Sequence, residues 1–166
     1  MQKNIILIGM PSVGKTTVGR MLAQSTNKKF VDTDYILKTK TKLTPRDIVK
    51  IHGEEFFLEC QQNILTKEDF FNSVISTGGS VVYSDFLMLK FKSIGFIVYL
   101  KDSLSELKSR IEENRRIIGS HNFSFDELYI QRDELYTKYA DIMIDCTNRK
   151  PEDILKKIEE EVLQSE

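Results

Sequence analysis

The stretch Gly9-Met10-Pro11-Ser12-Val13-Gly14-Lys15-Thr16-Thr17 matches the phosphate-binding pattern G-x-x-x-x-G-K-[ST]. An apolar run, Ile5–Ile8, precedes it, and a helical pattern, Val18–Gln24, follows it. Strand, glycine loop and helix therefore occur in the order that a phosphate site requires. The first backbone N–H groups of the helix and its dipole attract an anion. Lys15 is then expected to reach the outer phosphates, and the Thr16 hydroxyl to ligate Mg²⁺.

The motif predicts a set of ATP contacts within the loop and the start of its helix: Gly9, Ser12, Val13, Gly14, Lys15, Thr16 and Thr17. The glycines permit a tight turn and a close approach of the backbone to phosphate. The alternative is a strand-to-helix turn that binds no ligand.

Composition indicates one globular domain, residues 1–166. Of the 166 residues, 40% are hydrophobic and 30% are charged, which suits a single sizeable core. The net charge of −1 lacks the basic excess typical of nucleic-acid or membrane-surface binding. No apolar run approaches the roughly 20 residues of a membrane span. Cys60 and Cys146 form no C-x-x-C pair, so free thiols are expected. We expect a cytoplasmic monomer without nucleic-acid or membrane partners.

Apolar runs alternate with helical patterns along the whole chain, which predicts a three-layer α/β fold with a parallel sheet. Five strands are predicted, at Lys3–Ile8, from Phe30–Val31 onward, and at Ser73–Thr77, Phe96–Leu100 and Ile142–Ile144. Among the helices, one is expected from Glu54 to about Glu68 and another from Ser103 to about Glu113. In such sheets the site lies beyond the carboxyl ends of the strands.

Asp32 and Asp34 follow the second strand and are the candidates for metal and acceptor chemistry. Asp32 would hold Mg²⁺ through water, because that ion keeps much of its hydration shell. Asp34 would accept a hydrogen bond or proton from the acceptor hydroxyl. The alternative is that Asp34 caps a helix over residues 35–39 and that Asp32 belongs to a solvated turn.

Three further features have both a functional and a structural interpretation. Thr77–Ser80 contains two glycines and either presents backbone N–H groups to a substrate or forms a plain turn. Arg115 and Arg116 lie in a weakly patterned segment and either close over the phosphates as part of a lid or remain solvated. Arg132 lies among acidic residues of a helical pattern, where a surface ion pair is the simplest expectation.

Taken together, these segments resemble the shikimate kinase family, small members of the P-loop nucleoside-monophosphate-kinase group. The order and spacing of the segments carry the resemblance: Gly9–Thr17, Phe30–Asp34, Gly53–Phe57, Ser76–Gly79, Ile97–Leu100, and Arg132–Tyr136 ahead of Ala140-Asp141. The resemblance implies transfer of the γ-phosphate of ATP, with Mg²⁺, to the 3-hydroxyl of shikimate in aromatic amino-acid biosynthesis. It also implies a five-stranded parallel sheet of order 2-3-1-4-5, a substrate-binding helical segment at about residues 33–62 and a lid at about residues 114–124.

The resemblance assigns roles residue by residue. It implies catalytic roles for Lys15, Asp34, Arg115 and Arg116, and metal contacts for Thr16 and Asp32. It implies acceptor contacts for Asp34, Gly78, Gly79 and Arg132, the last on a substrate carboxylate. It places Arg110 and the loop at Arg149-Lys150-Pro151 near the adenine, so that Arg110, Arg115 and Lys150 join the predicted ATP contacts.

The chain departs from the family pattern mainly at the acceptor end. Leu58 stands where the pattern has a second carboxylate-binding arginine, Gln61 where it has a glutamate, and Ser80 where it has a third glycine. Hydrogen bonds to charged groups contribute roughly 1.5–3 kcal/mol, so loss of one arginine would weaken shikimate binding by about one to two orders of magnitude. We expect a pocket with one arginine and added apolar surface, unless Lys50 or Arg46 supplies another cation.

Three functions are consistent with these residues. The first is a working shikimate kinase, because the full-length pattern keeps Lys15, Asp32, Asp34 and Arg132. The second is a kinase of the same fold that acts on a different small hydroxylated substrate, because the departures cluster at the acceptor end. The third is a nucleotide-binding homologue without catalysis, because Arg115–Ile118 lack the proline of the family's Arg-Pro-Leu-Leu lid pattern and the acceptor pocket is altered.

Overall fold

A computed structural model describes residues 4–111 and 117–164. The described strands are β1 (Asn4–Ile8), β2 (Lys29–Asp32), β3 (Ser73–Ser76), β4 (Gly95–Lys101) and β5 (Ile142–Asp145). The described helices are α1 (Lys15–Ser25), α2 (Thr33–Thr41), α3 (Pro45–His52), α4 (Glu54–Leu65), α5 (Asp85–Ile94), α6 (Leu104–Arg110), α7 (Phe125–Tyr139) and α8 (Pro151–Gln164). A short 3₁₀ turn, Val81–Tyr83, precedes α5.

The five strands form one sheet of order β2-β3-β1-β4-β5, and every pairing is parallel. This confirms the predicted fold class and the predicted strand order. All five residues of β1 are buried, because helices cover both faces of a parallel sheet. Helix α1 packs on β1, β2 and β3 and contacts α8, which packs on β5. Helices α5 and α7 pack on β4.

Several helix ends differ from the sequence-based expectation. Asp34 does not cap α2: the cap is Asp32, whose extended backbone lets its Oδ1 accept from the N–H of Asp34 at 2.9 Å. Helix α4 ends at Leu65 rather than near Glu68. Helix α6 ends at Arg110, because Ile111 takes an extended conformation. The predicted end near Glu113 lies outside the described residues.

The start of α3 orients part of the site. The side chain of Thr44 accepts from the N–H of Asp47, and the Asp47 carboxylate accepts from the backbone and hydroxyl of Thr44. These bonds to Thr44 hold the pKa of Asp47 below its usual value. With Pro45 at the first helical position, this capping box fixes the first turn of α3.

No helix within the described part of the chain is long and apolar enough to cross a membrane. Of the two free cysteines, Cys146 is buried and Cys60 is half-buried, and burial raises the pKa of the Cys146 thiol to about 12.

Candidate active site

The glycine loop leaves β1 with a backbone that requires its glycines. Gly9 has a φ of 147°, and a Cβ there would lie 2.5 Å from the carbonyl oxygen of Leu100 on β4. Gly14 has a φ of 101° at the start of α1, with open space around it. Ser12 adopts the left-handed region at a φ of 69°, so the loop is tightly curved at its tip. A curved backbone of this kind, ahead of a helix N-terminus, turns N–H groups toward an anion.

Lys15 and Thr16 lie where the loop enters α1. The ammonium of Lys15 donates to the carbonyls of Gly9 and Met10 at 2.7 and 2.8 Å, and its side chain is buried. The hydroxyl of Thr16 lies 3.5 Å from that of Ser76 at the end of β3. Both residues line a cavity of about 290 Å³ together with the loop. The ammonium and the hydroxyl are thus held beside the space that phosphates would occupy.

Sequence reasoning did not single out Ser76. Its position follows from the register of the sheet, because β3 lies beside β1 and ends next to the glycine loop. A serine after a short apolar strand gives no signal of this kind by itself.

Asp34 lies at the junction of two cavities. It lines the phosphate-side cavity of about 290 Å³ and a second cavity of about 450 Å³. Pro11, Gly78 and Gly79 also line both. We call the larger one the acceptor cavity; its walls come from α3, α4, α7 and the segment at residues 117–121. Asp32 lines only the phosphate-side cavity. Asp34 therefore adjoins both cavities, whereas Asp32 adjoins one of the two.

Gly78 and Gly79 are glycines because of close neighbours rather than unusual dihedral angles. A Cβ on Gly78 would lie 2.9 Å from Oδ1 of Asp34, and a Cβ on Gly79 would lie 2.9 Å from Nη1 of Arg132. The N–H of Gly78 is engaged by the hydroxyl of buried Thr33. The turn after β3 therefore brings the carboxylate and the guanidinium against the backbone of the cavity wall.

Arg132 is a buried cation, with a relative exposure of 1%. The expectation of a surface ion pair is wrong, because this face of α7 packs on the turn after β3. The guanidinium donates from Nε to the hydroxyl of Tyr83 at 3.1 Å and from Nη2 to the carbonyl of Ile118 at 2.6 Å. No carboxylate within residues 4–111 and 117–164 forms an ion pair with it.

The environment of Arg132 keeps it protonated. Burial opposes the charged form, but interactions with Tyr136 and Tyr83 outweigh it and raise the pKa of Arg132. Tyr136 in turn donates to the carbonyl of Gly79 at 2.6 Å. A positive charge held by neutral groups at a cavity wall is well suited to an anionic ligand. Sequence reasoning missed Tyr83 and Tyr136, because tyrosines at such positions read simply as core.

Leu58 does not line the acceptor cavity, so the expectation that it adds apolar surface there is wrong. It lines a separate cavity of about 360 Å³ with Tyr83 and residues of α4. Ser80, by contrast, does line the acceptor cavity. Ser80 has a φ of −90°, so its side chain fits without backbone strain, and its hydroxyl donates to Oε1 of Gln61 at 3.4 Å. Gln61 is buried, and in the described structure its Nε2 has no hydrogen-bond partner.

The predicted adenine contacts lie apart from these cavities. Arg110 pairs with buried Asp102 at 2.7 Å and with Glu106 at 3.1 Å. The backbone of Cys146 bonds to that of Lys101, which brings the loop before Lys150 beside the end of β4. Neither Arg110 nor Lys150 lines the cavities described above. Arg115 and Arg116 lie outside the described residues.

Fold and site together define the class of protein. A phosphate-binding loop at the carboxyl edge of a parallel sheet adjoins a second cavity with an aspartate at the junction and a buried arginine in its wall. This arrangement is that of a P-loop phosphotransferase for a small acceptor. The family model for shikimate kinase matches residues 11–163, and the chain belongs to the shikimate kinase family. It is accordingly a phosphotransferase that acts on an alcohol group.

Individual proteins support this membership. A shikimate kinase of Clostridium botulinum (strain Okra / Type B1) is 35% identical over 160 residues, which are 93% of each chain. The structure of shikimate kinase from Acinetobacter baumannii in complex with shikimate has a TM-score of 0.85 at 28% identity, covering 100% of this chain and 96% of that one. Shikimate kinase from Aquifex aeolicus has a TM-score of 0.79 at 28% identity, covering 98% and 97%.

Proposed function

We propose that this protein transfers the γ-phosphate of ATP to the 3-hydroxyl of shikimate and forms shikimate 3-phosphate for aromatic amino-acid biosynthesis. This proposal rests on the two adjoining cavities that share Asp34, Gly78 and Gly79, with buried Arg132 in the wall of the larger one. Shikimate is a small acid with hydroxyl groups, so it presents a carboxylate for Arg132 and a hydroxyl for Asp34.

The residues divide the reaction between them. The amides of the glycine loop and the ammonium of Lys15 hold the β- and γ-phosphates and neutralise charge that builds up during transfer. Asp34 orients the acceptor hydroxyl toward the γ-phosphorus and takes its proton. Arg132 anchors the carboxylate, so that the hydroxyl is held in line with the bond that breaks. Arg115 or Arg116, carried by the lid, supplies a further cation to the phosphates.

The residues around Thr16 fit a magnesium ion. The hydroxyls of Thr16 and Ser76 and the carboxylate of Asp32 line one cavity, and all are oxygen donors, which Mg²⁺ prefers. Among the described residues no cluster of three or more His, Cys, Asp or Glu side chains could hold a metal alone. That suits an ion that keeps several waters and takes phosphate oxygens. When bound, Mg²⁺ would neutralise charge on the β- and γ-phosphate oxygens.

The phosphate donor and the two thiols bear on the compartment of the protein. ATP as donor and free thiols at Cys60 and Cys146 support a reducing, ATP-containing compartment, for which we propose the cytoplasm. We also propose that the protein acts as a monomer.

A coupled ADP-release assay tests the proposal. With ATP and Mg²⁺, shikimate is expected to give saturable turnover, whereas a panel of sugar acids, polyols and nucleosides gives little. Absence of turnover at millimolar shikimate would exclude the proposed reaction. Efficient turnover of another member of the panel would instead favour a different acceptor. Ser80, which lines the acceptor cavity where the family pattern has a glycine, is consistent with that alternative. ATP binding without turnover of any acceptor would favour the non-catalytic alternative.

A further inference from the structure

We infer that Arg46, on the first turn of α3, is a second cation for the acceptor carboxylate and determines, with Arg132, the preference for an acidic acceptor. The inference rests on the proposed function and assigns one of its binding contacts. In the structure, two arginine side chains from different helices line the same acceptor cavity.

The cavity places its charged groups in two zones. Asp34 lies at the mouth shared with the phosphate-side cavity, where the hydroxyl must be. Arg46 and Arg132 line only the acceptor cavity. A carboxylate has two oxygens and four lone-pair directions, so it can accept from two guanidinium groups at once. An acid held at these arginines can therefore extend its hydroxyl toward Asp34.

Arg46 is available for such a contact. Within residues 4–111 and 117–164, its guanidinium forms no hydrogen bond or salt bridge. The neighbouring carboxylate, Asp47, is engaged by Thr44 in the capping box. Glu54 lines the same cavity but pairs with neither arginine in that part of the chain. Arg110 shows the contrast, because Asp102 and Glu106 already neutralise it.

The two arginines would contribute differently. Arg132 is buried and fixed by Tyr83 and Ile118, so it sets the position of the carboxylate. Arg46 is exposed on a helix whose first turn is fixed by its cap, so its side chain is free to move onto the ligand. The contact forms on binding and does not change during phosphoryl transfer. Its loss should therefore raise KM and leave kcat nearly unchanged.

The chain offers a matched control. Lys50 lies one helical turn further along α3, is exposed, carries the same charge, and does not line the acceptor cavity. Lys50→Ala therefore removes a charge from the same helix without removing the proposed contact. Alanine at either position suits a helix, so both variants should fold.

The experiment measures KM and kcat for shikimate, and for its methyl ester, in the wild type, Arg46→Ala, Arg46→Lys and Lys50→Ala. We expect Arg46→Ala to raise KM for shikimate about tenfold, as for loss of one hydrogen bond to a charged group. Arg46→Lys should recover part of this loss, and Lys50→Ala should change KM less than about twofold. For the uncharged ester, Arg46→Ala should have little effect.

Every outcome of these kinetic measurements either supports or contradicts the role of Arg46. The inference is contradicted if Arg46→Ala changes KM no more than Lys50→Ala does, or if it raises KM equally for shikimate and its ester, while the wild type phosphorylates shikimate normally. If the wild type does not phosphorylate shikimate at all, the proposed function fails and the inference fails with it. The wild-type assay thus separates the two failures.

Discussion

At the scale of single residues, the most informative side chain is Arg132. Moving an ion out of water carries a desolvation penalty of several kcal/mol, and a carboxylate partner usually offsets it. Here two tyrosines and a backbone carbonyl provide neutral contacts instead. The folded chain therefore keeps a buried positive charge next to a cavity, which fits the proposed binding of a substrate carboxylate.

Replacing this charge should separate binding from stability. We expect Arg132→Met to raise KM for shikimate by about two orders of magnitude, since a hydrogen-bonded ionic contact is lost in a buried site. The free energy of unfolding should change by less than about 2 kcal/mol, because methionine removes the desolvation penalty together with the hydrogen bonds. Steady-state kinetics and urea unfolding measure the two effects. A large loss of stability with an unchanged KM would show that Arg132 is structural.

Asp34 should show the opposite kinetic pattern. Asp34→Asn keeps the shape of the side chain but removes the acceptor of the hydroxyl proton, so we expect kcat to fall by about 10²-fold or more. Because the Asp34 side chain is exposed, unfolding should be nearly unaffected. Asp69→Asn, at an exposed aspartate outside both cavities, is the control. A near-normal kcat in Asp34→Asn would rule out the role of Asp34.

At the scale of elements, helix caps aim side chains into the site. Thr44 caps α3, which carries Pro45, Arg46 and Val49 to the acceptor cavity. Ser103 caps α6 in a similar way, through the N–H of Glu106, but α6 lines neither the acceptor cavity nor the phosphate-side cavity. Helices α3 and α6 therefore have similar lengths, but only the cap of α3 positions side chains that line the acceptor cavity.

This difference gives a paired prediction. Thr44→Ala and Ser103→Ala should each lower the free energy of unfolding by about 1 kcal/mol, the usual contribution of a side-chain cap. Only Thr44→Ala should also raise KM for the acceptor, because the first turn of α3 then frays. Urea unfolding and steady-state kinetics on both variants provide the comparison. Equal KM values in the two variants would mean that the α3 cap does not position the acceptor cavity.

At the scale of the whole molecule, the parallel sheet gathers the ends of four segments that are distant in sequence. The loop after β1, Asp32 at the end of β2 with Asp34 just beyond it, and the glycines after β3 meet at one edge, and α7 adds Arg132 to them.

The surface of the same molecule carries aspartates that stabilise it by their charge. Bonds to Thr44, Tyr139 and Thr147, respectively, lower the pKa values of Asp47, Asp85 and Asp145.

These lowered pKa values predict acid sensitivity. A carboxyl whose pKa is lower in the folded state stabilises the fold above its unfolded value, near 3.8, and loses that contribution as pH falls through the folded value. Urea unfolding midpoints should therefore be flat from pH 7 to 5 and fall below about pH 4. Asp85→Asn, which removes the charge bonded to Tyr139, should show a shallower fall than the wild type. Identical pH profiles would contradict the contribution of Asp85.

Sequence by itself determined the architecture and predicted the phosphate end of the site. Alternating apolar and helical segments led to the parallel sheet, and the resemblance to shikimate kinases led to its order 2-3-1-4-5; both are confirmed. The strands, the glycine loop and the helix caps are predictable because their preferences depend on neighbouring residues, whereas the strand order came from the resemblance. Tertiary structure alone decided the acceptor end. The packing of α3, α4 and α7 buries Arg132, places Arg46 and Ser80 in the acceptor cavity, and keeps Leu58 out of it. Such contacts join residues that are far apart in the chain. The same long-range packing sets Ser76 beside Thr16, where the opening motif enters α1.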